Sequence, residues 1–309
     1  MFFNKSNCPC IPADVPQALQ KEFCKNYSTI TKNKNRLFVF AYDQKMEHLN
    51  ADFYGPNIHP DVMHPEHAFS IAHHGSVGAL ATHLGLIARY GKKYPDIPYI
   101  AKLSGKTDAP SSDMQDPLSK QLWTVQDVLA LKDESKINIC GVGATIYLGS
   151  EFEAEMLAQA AQIITQAHHH GLVTLLWVYF RGKNIAHETD GLLTSGATGL
   201  GATLGADFVK IKPPSSDEHK TSTQWLSVAA AAAGNTKIIC AGGPHEAPEK
   251  FLTTLHEQIH KGSTSGCATG RNIFQYSLPA SIAMTQAIAA IVYKDKSVLE
   301  AMKIYKEKQ

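Results

Sequence analysis

Apolar residues fall along this chain in two alternating rhythms. Short, nearly unbroken runs rich in Val, Ile, Leu and Ala predict buried strands at Leu37 to Tyr42, Val77 to Leu80, Tyr99 to Leu103, Ile137 to Val142, Val173 to Tyr179, Asp207 to Ile211, Lys237 to Cys240 and Ser265 to Ala268. Between them lie stretches with apolar residues at helical spacing. Ser150-Glu151-Phe152-Glu153 reads as a capping box; after it Phe152, Met156, Ala160, Ile163, Ile164 and Ala167 share one stripe, and His168-His169-His170 meets Gly171 as a left-handed cap. Trp225 to Ala233 reads as an alanine-rich helix closed by Gly234, and Pro248 to His260 as another closed by Gly262.

Eight apolar strands separated by helices predict an α/β fold, a single closed (β/α)8 TIM barrel spanning residues 36–309. The rival, an open doubly wound sheet, would carry G-x-G-x-x-G after its first strand, where this chain has Tyr42-Asp43-Gln44-Lys45. Gly141-x-Gly143 lacks the third glycine. Residues 1–35 read as an N-terminal extension, polar and unpatterned enough to serve as a lid, an arm or a subunit contact.

Composition narrows the function. The 29 Lys and Arg against 28 Asp and Glu give a net charge of +1 without a basic block, which excludes the cationic footprint of a nucleic-acid protein. With 44% hydrophobic and 18% charged residues the chain is globular, and no unbroken apolar run reaches the ~18 residues a membrane helix needs. A soluble, cytoplasmic protein is expected. The six cysteines are too sparse for a disulfide framework, and Cys8-x-Cys10 has no second pair at zinc spacing. Successive residues of His168-His169-His170 point in different directions, so the run reads as a basic helix end favoured by the dipole; no metal and no organic cofactor is expected.

Polar residues at the C-terminal ends of barrel strands are where such folds place chemistry. On strand six, period-two alternation turns Val209 and Ile211 to the helices and Phe208, Lys210 and Lys212 inward. A lysine inside a barrel loses solvation, so its pKa falls and a nucleophilic amine becomes accessible; the competing roles are a structural ion pair or a phosphate clamp. Lys102 on strand three shares this parity, and position alone does not choose between Lys102 and Lys210. Strand five turns Trp177, Tyr179 and Arg181 to one face: the phenol suits proton relay and the guanidinium an anion, whereas Trp and Tyr also fill cores. Asp43 ends strand one, suited to orient or protonate a carbinolamine hydroxyl or to cap a helix, while Glu47 and His48 are placed on the following loop. Gly242-Gly243 after strand seven, and Gly270-Arg271 after strand eight, fall where barrels bind phosphate.

Taken together, Ala41-Tyr42-Asp43-Gln44, Trp177-Val178-Tyr179-Phe180-Arg181-Gly182, Gly205-Ala206-Asp207-Phe208-Val209-Lys210, Ala241-Gly242-Gly243 and Gly270-Arg271-Asn272-Ile273-Phe274-Gln275 resemble the class I fructose-bisphosphate aldolases of the archaeal and bacterial type, in the wider family that includes deoxyribose-phosphate aldolase. The resemblance implies that Lys210 forms a Schiff base, that Tyr179 shuttles protons, that Asp43 assists, that Gly242, Gly243, Gly270 and Arg271 hold phosphate, and that the chain assembles as a homo-oligomer. It also implies reversible cleavage of fructose 1,6-bisphosphate. A related Schiff-base aldolase or synthase on another phosphorylated sugar is the alternative, and a non-catalytic sugar-phosphate sensor the third reading. Two positions depart from the family pattern: Phe180 stands where Pro is common, and Lys45 where Gly is common. Lys45 at a pocket mouth suits a second phosphate or a changed substrate choice.

Overall fold

A computed structural model describes residues 11–110 and 114–308. Eight parallel strands close a barrel in chain order: β1 (Leu37–Ala41), β2 (Ala79–His83), β3 (Tyr99–Lys102), β4 (Ile139–Leu148), β5 (Val173–Phe180), β6 (Phe208–Ile211), β7 (Lys237–Ala241) and β8 (Gly266–Thr269). β1 seals it by pairing with β8 at Leu37↔Gly266 and with β2 at Val39↔Ala79. Alternation along each strand separates two apolar layers. Leu37, Val39, Ile100, Leu175, Trp177 and Phe208 fill the interior, while Phe38, Phe40, Leu176, Val178, Val209 and Ile211 pack under the helices. Lys210 therefore does point inward, in line with Phe208.

Six strands agree with the pattern to within one residue, and two do not. β4 continues to Leu148 because its glycines belong to the strand: a Cβ on Gly143 would lie 2.1 Å from the Leu175 carbonyl oxygen and 2.5 Å from the Trp177 ring. β2 ends in buried polar residues whose partners lie elsewhere, Thr82 donating to the Tyr42 carbonyl at 3.0 Å and His83 Nε2 lying 3.2 Å from the Ser104 carbonyl oxygen.

Among the helices, Ser222–Ala233 opens with a Thr221/Gln224 capping box and ends at Gly234 with φ of +59°, and Pro248–His260 has the predicted bounds. Gly171 is left-handed at φ +67° as expected. The capping box at Ser150 is not formed: the helix is Glu153–His169, the Ser150 hydroxyl donates to the Pro117 carbonyl at 2.8 Å, and the Glu153 carboxylate accepts from the Gly149 amide at 2.6 Å.

The N-terminal part differs more. Helix Gln20–Thr31 carries Phe23, Tyr27 and Ile30 into the interior cluster at the N-terminal mouth of the barrel, with the Tyr27 ring 5.4 Å from that of Phe208. It is a plug with an apolar face, and it lies opposite the strand ends that carry the chemistry. His168 is likewise no solvated helix end, because its ring is buried between Asp14 (Nδ1 at 2.9 Å) and Asp207 (Nε2 at 3.2 Å). Cys140, Cys240 and Cys267 are free and buried, Cys24 is disulfide-bonded, and Cys8-x-Cys10 lies outside the described residues. Among the described residues no helix is long and apolar enough to cross a membrane.

Candidate active site

The C-terminal strand ends open onto a cavity of about 570 Å³. Asp43 after β1, Tyr179 on β5, Arg181 behind it, Lys210 on β6, Gly242 and Gly243 after β7, and Gly270 and Arg271 after β8 all line it. Residues spread over most of the chain thus converge because each sits at the same level of its strand.

The two inward lysines have opposite surroundings. Lys102 is fully buried beneath the cavity, and its ammonium donates to Asp43 Oδ2 at 2.6 Å and to Glu47 Oε1. Burial favours loss of its proton, but the charges and hydrogen bonds of Asp43 and Glu47 outweigh that and hold it above the usual lysine range. Lys210 faces the cavity, and among the described residues it makes no hydrogen bond or ion pair. Burial lowers its pKa; Asp43 opposes the shift, and the charge of Lys102 adds to it. Its Nζ lies 5.8 Å from the Trp177 ring centroid and 5.9 Å from that of Tyr179. One lysine is fixed as a cation, the other is free to be an amine.

Tyr179 stays a phenol, since burial and the Asp43 charge raise its pKa well above the usual value. Arg181 stacks over Tyr147 at 5.6 Å and, with Lys212, binds the Glu188 carboxylate. At the opposite wall Gly243 has φ of +68°, a left-handed value that glycine adopts at no steric cost, so the backbone can turn beside an anion. Arg271 Nε donates to the Gly243 carbonyl at 3.2 Å, tying the β8 loop to the β7 loop. Fully buried Asn272 reinforces this by donating to the carbonyls of Gly242 and Pro244, both at 2.9 Å.

Three expectations need correction. Lys102 does not line the cavity; it is a buried counter-ion, so direct substrate contact is not its role. Trp177 is also fully buried, a floor under both lysines. Lys45 turns away, its ammonium donating to the Met63 carbonyl at 3.2 Å and sitting 4.2 Å over the Phe53 ring, because Gln44–Glu47 is helical and swings it off the cavity side. Phe180 simply extends β5 to its last pair with Leu148.

Sequence reasoning missed Glu47, Tyr147 and Asn272. The polar run after strand one reads as a loop, whereas Gln44–Glu47 is helical with Asp43 as its N-cap, and the four-residue spacing puts Asp43 and Glu47 on one face. Tyr147 lay beyond the early end assigned to strand four. Among the described residues no group of three or more His, Cys, Asp or Glu is placed to hold a metal.

Known proteins match this chain in sequence and fold. Residues 37–276 match the DeoC/LacD family aldolase description. A Methanocaldococcus jannaschii protein named fructose-bisphosphate aldolase/6-deoxy-5-ketofructose 1-phosphate synthase is 47% identical over 295 residues, 96% of this chain and 94% of that one. A Halobacterium salinarum fructose-bisphosphate aldolase class 1 is 31% identical over 86% of this chain and 94% of its own. The solved fructose-bisphosphate aldolase from Slackia heliotrinireducens superposes with a TM-score of 0.95 at 45% identity, covering 96% and 94% of the two chains. An archaeal fructose 1,6-bisphosphate aldolase superposes at 0.74 with 29% identity over 88% of this chain and 99% of its own. The resemblance read from the motifs holds, and the chain belongs to the DeoC/LacD family of aldolases.

Proposed function

We propose that this chain is a class I aldolase that reversibly cleaves fructose 1,6-bisphosphate into dihydroxyacetone phosphate and glyceraldehyde 3-phosphate through a Schiff base on Lys210. The contrast between the two inward lysines carries the proposal: Lys102 is locked between two carboxylates, and Lys210 is left unpaired in the cavity wall beside Tyr179. The names of the Methanocaldococcus and Halobacterium relatives support it, as does a structural neighbour 28% identical and described as Schiff base forming.

The Lys210 amine attacks the ketone carbon, and loss of water leaves an iminium that withdraws electrons from the neighbouring C–C bond. Asp43, held ionised, orients the hydroxyl at the reacting carbon. The hydroxyl proton passes to the ionised Asp43 as cleavage releases the aldehyde and leaves an enamine; Tyr179 protonates the enamine carbon from its phenol, and the proton held by Asp43 restores the phenol. Arg271 and the amides around Gly242, Gly243 and Gly270 bind one phosphate, and Arg181 meets the other end of the substrate once Glu188 yields. The iminium is itself the electron sink, so this route calls for no metal or organic cofactor. A cytoplasmic homo-oligomer serving sugar-phosphate breakdown and synthesis fits this chemistry.

The double name of the Methanocaldococcus relative favours a second reading, a related Schiff-base synthase acting on another phosphorylated sugar. A non-catalytic sensor has no use for an unpaired Lys210 beside Tyr179. Borohydride reduction in the presence of dihydroxyacetone phosphate tests the covalent step: the label is expected on Lys210, and Lys210→Met should abolish both label and turnover while the protein stays folded. A label on Lys102 refutes the assignment, and cleavage rates on a panel of phosphorylated ketoses separate the two substrate readings.

A further inference from the structure

We propose, on the basis of the Schiff-base reading above, that Glu47 is a further catalytic residue: its carboxyl gives a proton to the departing carbinolamine hydroxyl and takes one back from water when the iminium is hydrolysed. Asp43 is the N-cap of the helix Gln44–Glu47, and the four-residue spacing turns both carboxylates to the same side. There they share one ammonium, Lys102 Nζ binding Asp43 Oδ2 and Glu47 Oε1. Among the described residues Asp43 Oδ1 and Glu47 Oε2 have no protein partner, and both residues line the cavity with Lys210. Because Oε1 is occupied by a donor, a proton on Glu47 must sit on Oε2. That oxygen belongs to a residue only 9% exposed, on the wall where the carbinolamine would form.

Charge counting supports the role. Asp43 and Lys102 form one buried pair, which leaves Glu47 and Lys210 to share a single proton. Placing it on Lys210 buries two charges; placing it on Glu47 buries none, and it leaves a nucleophilic amine beside a ready acid. The surroundings separate the two carboxyls. Burial raises Glu47, the Asp43 charge adds to this, and Lys102 only partly offsets it; at Asp43 burial is outweighed by Lys102 and Lys210, and the group stays ionised. Besides these three, His48, Tyr147 and Tyr179 act on the same field.

The step balances. The amine nitrogen bonds to the ketone carbon, whose oxygen becomes hydroxyl with the amine's proton. The C–O bond then breaks as the hydroxyl takes the Oε2 proton and leaves as water, the nitrogen lone pair closes the C=N bond, and Glu47 remains as carboxylate. Hydrolysis runs the same transfers in reverse.

Quenched borohydride trapping of dihydroxyacetone phosphate, on the full chain across pH 5.5 to 9, tests this. Wild type should trap with a rising limb as Lys210 loses its proton and a falling limb as Glu47 loses its own. Glu47→Gln keeps the acceptor for Lys102 but carries no transferable proton, so its trapping should slow by roughly 10²- to 10⁴-fold and lose the falling limb, with inorganic phosphate binding unchanged. Trapping at wild-type speed overturns the proposal, and so does slowed trapping with the falling limb intact, which would make Glu47 a positioning residue. If circular dichroism shows Glu47→Gln unfolded, Glu47→Asp replaces it: the falling limb should persist at a reduced rate, and a profile equal to wild type overturns the proposal. An unlabelled Lys210 in wild type removes the Schiff-base reading itself, and the role of Glu47 with it.

Discussion

Replacing Lys102 with methionine keeps most of the side-chain volume and deletes the one charge that Asp43 and Glu47 share. Breaking a buried ion pair from one side costs about 3–5 kcal/mol, because the partner is left charged in a medium that solvates it poorly. An unfolding entropy of about 2.1 cal/mol/K per residue over 309 residues gives about 0.65 kcal/mol per degree, so Tm should fall by about 5–8 °C. The pH dependence gives the sharper check. In the wild type, Lys102 and Lys210 outweigh burial and hold Asp43 below its unfolded value, so its stabilisation is present above about pH 4 and fades as pH falls through the native value. In Lys102→Met the strongest opposition to burial is gone and the native value rises. The variant's deficit should therefore be largest near neutral pH and shrink toward about pH 4. Urea melts of both proteins at pH 4.5, 6 and 7.5 read this directly. Lys102 also helps keep Lys210 deprotonated, so trapping by the variant should slow at pH 7 and recover on raising the pH, with the label still on Lys210. A deficit below about 1 kcal/mol at pH 7.5, or one that grows toward acid, refutes the counter-ion role.

Arg271→Ala should lose about 1.5–3 kcal/mol of phosphate binding, roughly 10- to 150-fold in kcat/KM on phosphorylated substrates, and leave dihydroxyacetone almost unaffected; equal losses on both would move the phosphate site elsewhere. His168 is raised above its ordinary pKa because Asp207 and Asp14 outweigh burial, so its pairing stabilises fully below about pH 6.5 and fades as pH climbs through the native value. Urea melts should show wild type losing about 1–2 kcal/mol between pH 6 and 9 and His168→Leu lacking that slope, whereas parallel slopes would dismiss the bridge.

The barrel was legible because its strands are buried on both faces, which writes them as apolar runs, and because period two fixes which side each residue takes. Phe208 inside and Val209 outside follow from that period alone, and Lys210 with them. Errors gathered where a side chain's partner lies far away in sequence. Thr82 and His83 look like the end of a strand until the carbonyls of Tyr42 and Ser104 are seen to receive them. Gly143 looks like punctuation until the Trp177 ring is found against it. The N-terminal helix looked polar because its apolar face is only Phe23, Tyr27 and Ile30, enough to close a barrel mouth but too little to stand out in a window.

The choice between Lys102 and Lys210 failed for the same reason. Both are inward lysines at strand ends with apolar neighbours, and the groups that distinguish them are 59 and 55 residues from Lys102. Had the turn after Asp43 been read as helix, Asp43 and Glu47 would have stood on one face and required a nearby cation. β2, the neighbouring strand, offers His83, but burial and the Lys102 charge push its pKa down to about 4, so it is neutral at working pH. The cation must then come from β3, where Lys102 stands in register with His83. Lys210 on β6 feels the same carboxylates without binding them: their field moderates the loss of its proton, yet among the described residues no hydrogen bond or ion pair holds the amine. In the proposed Schiff-base chemistry Lys210 is available as a nucleophile because a second lysine already neutralises the carboxylate that would otherwise have paired with it.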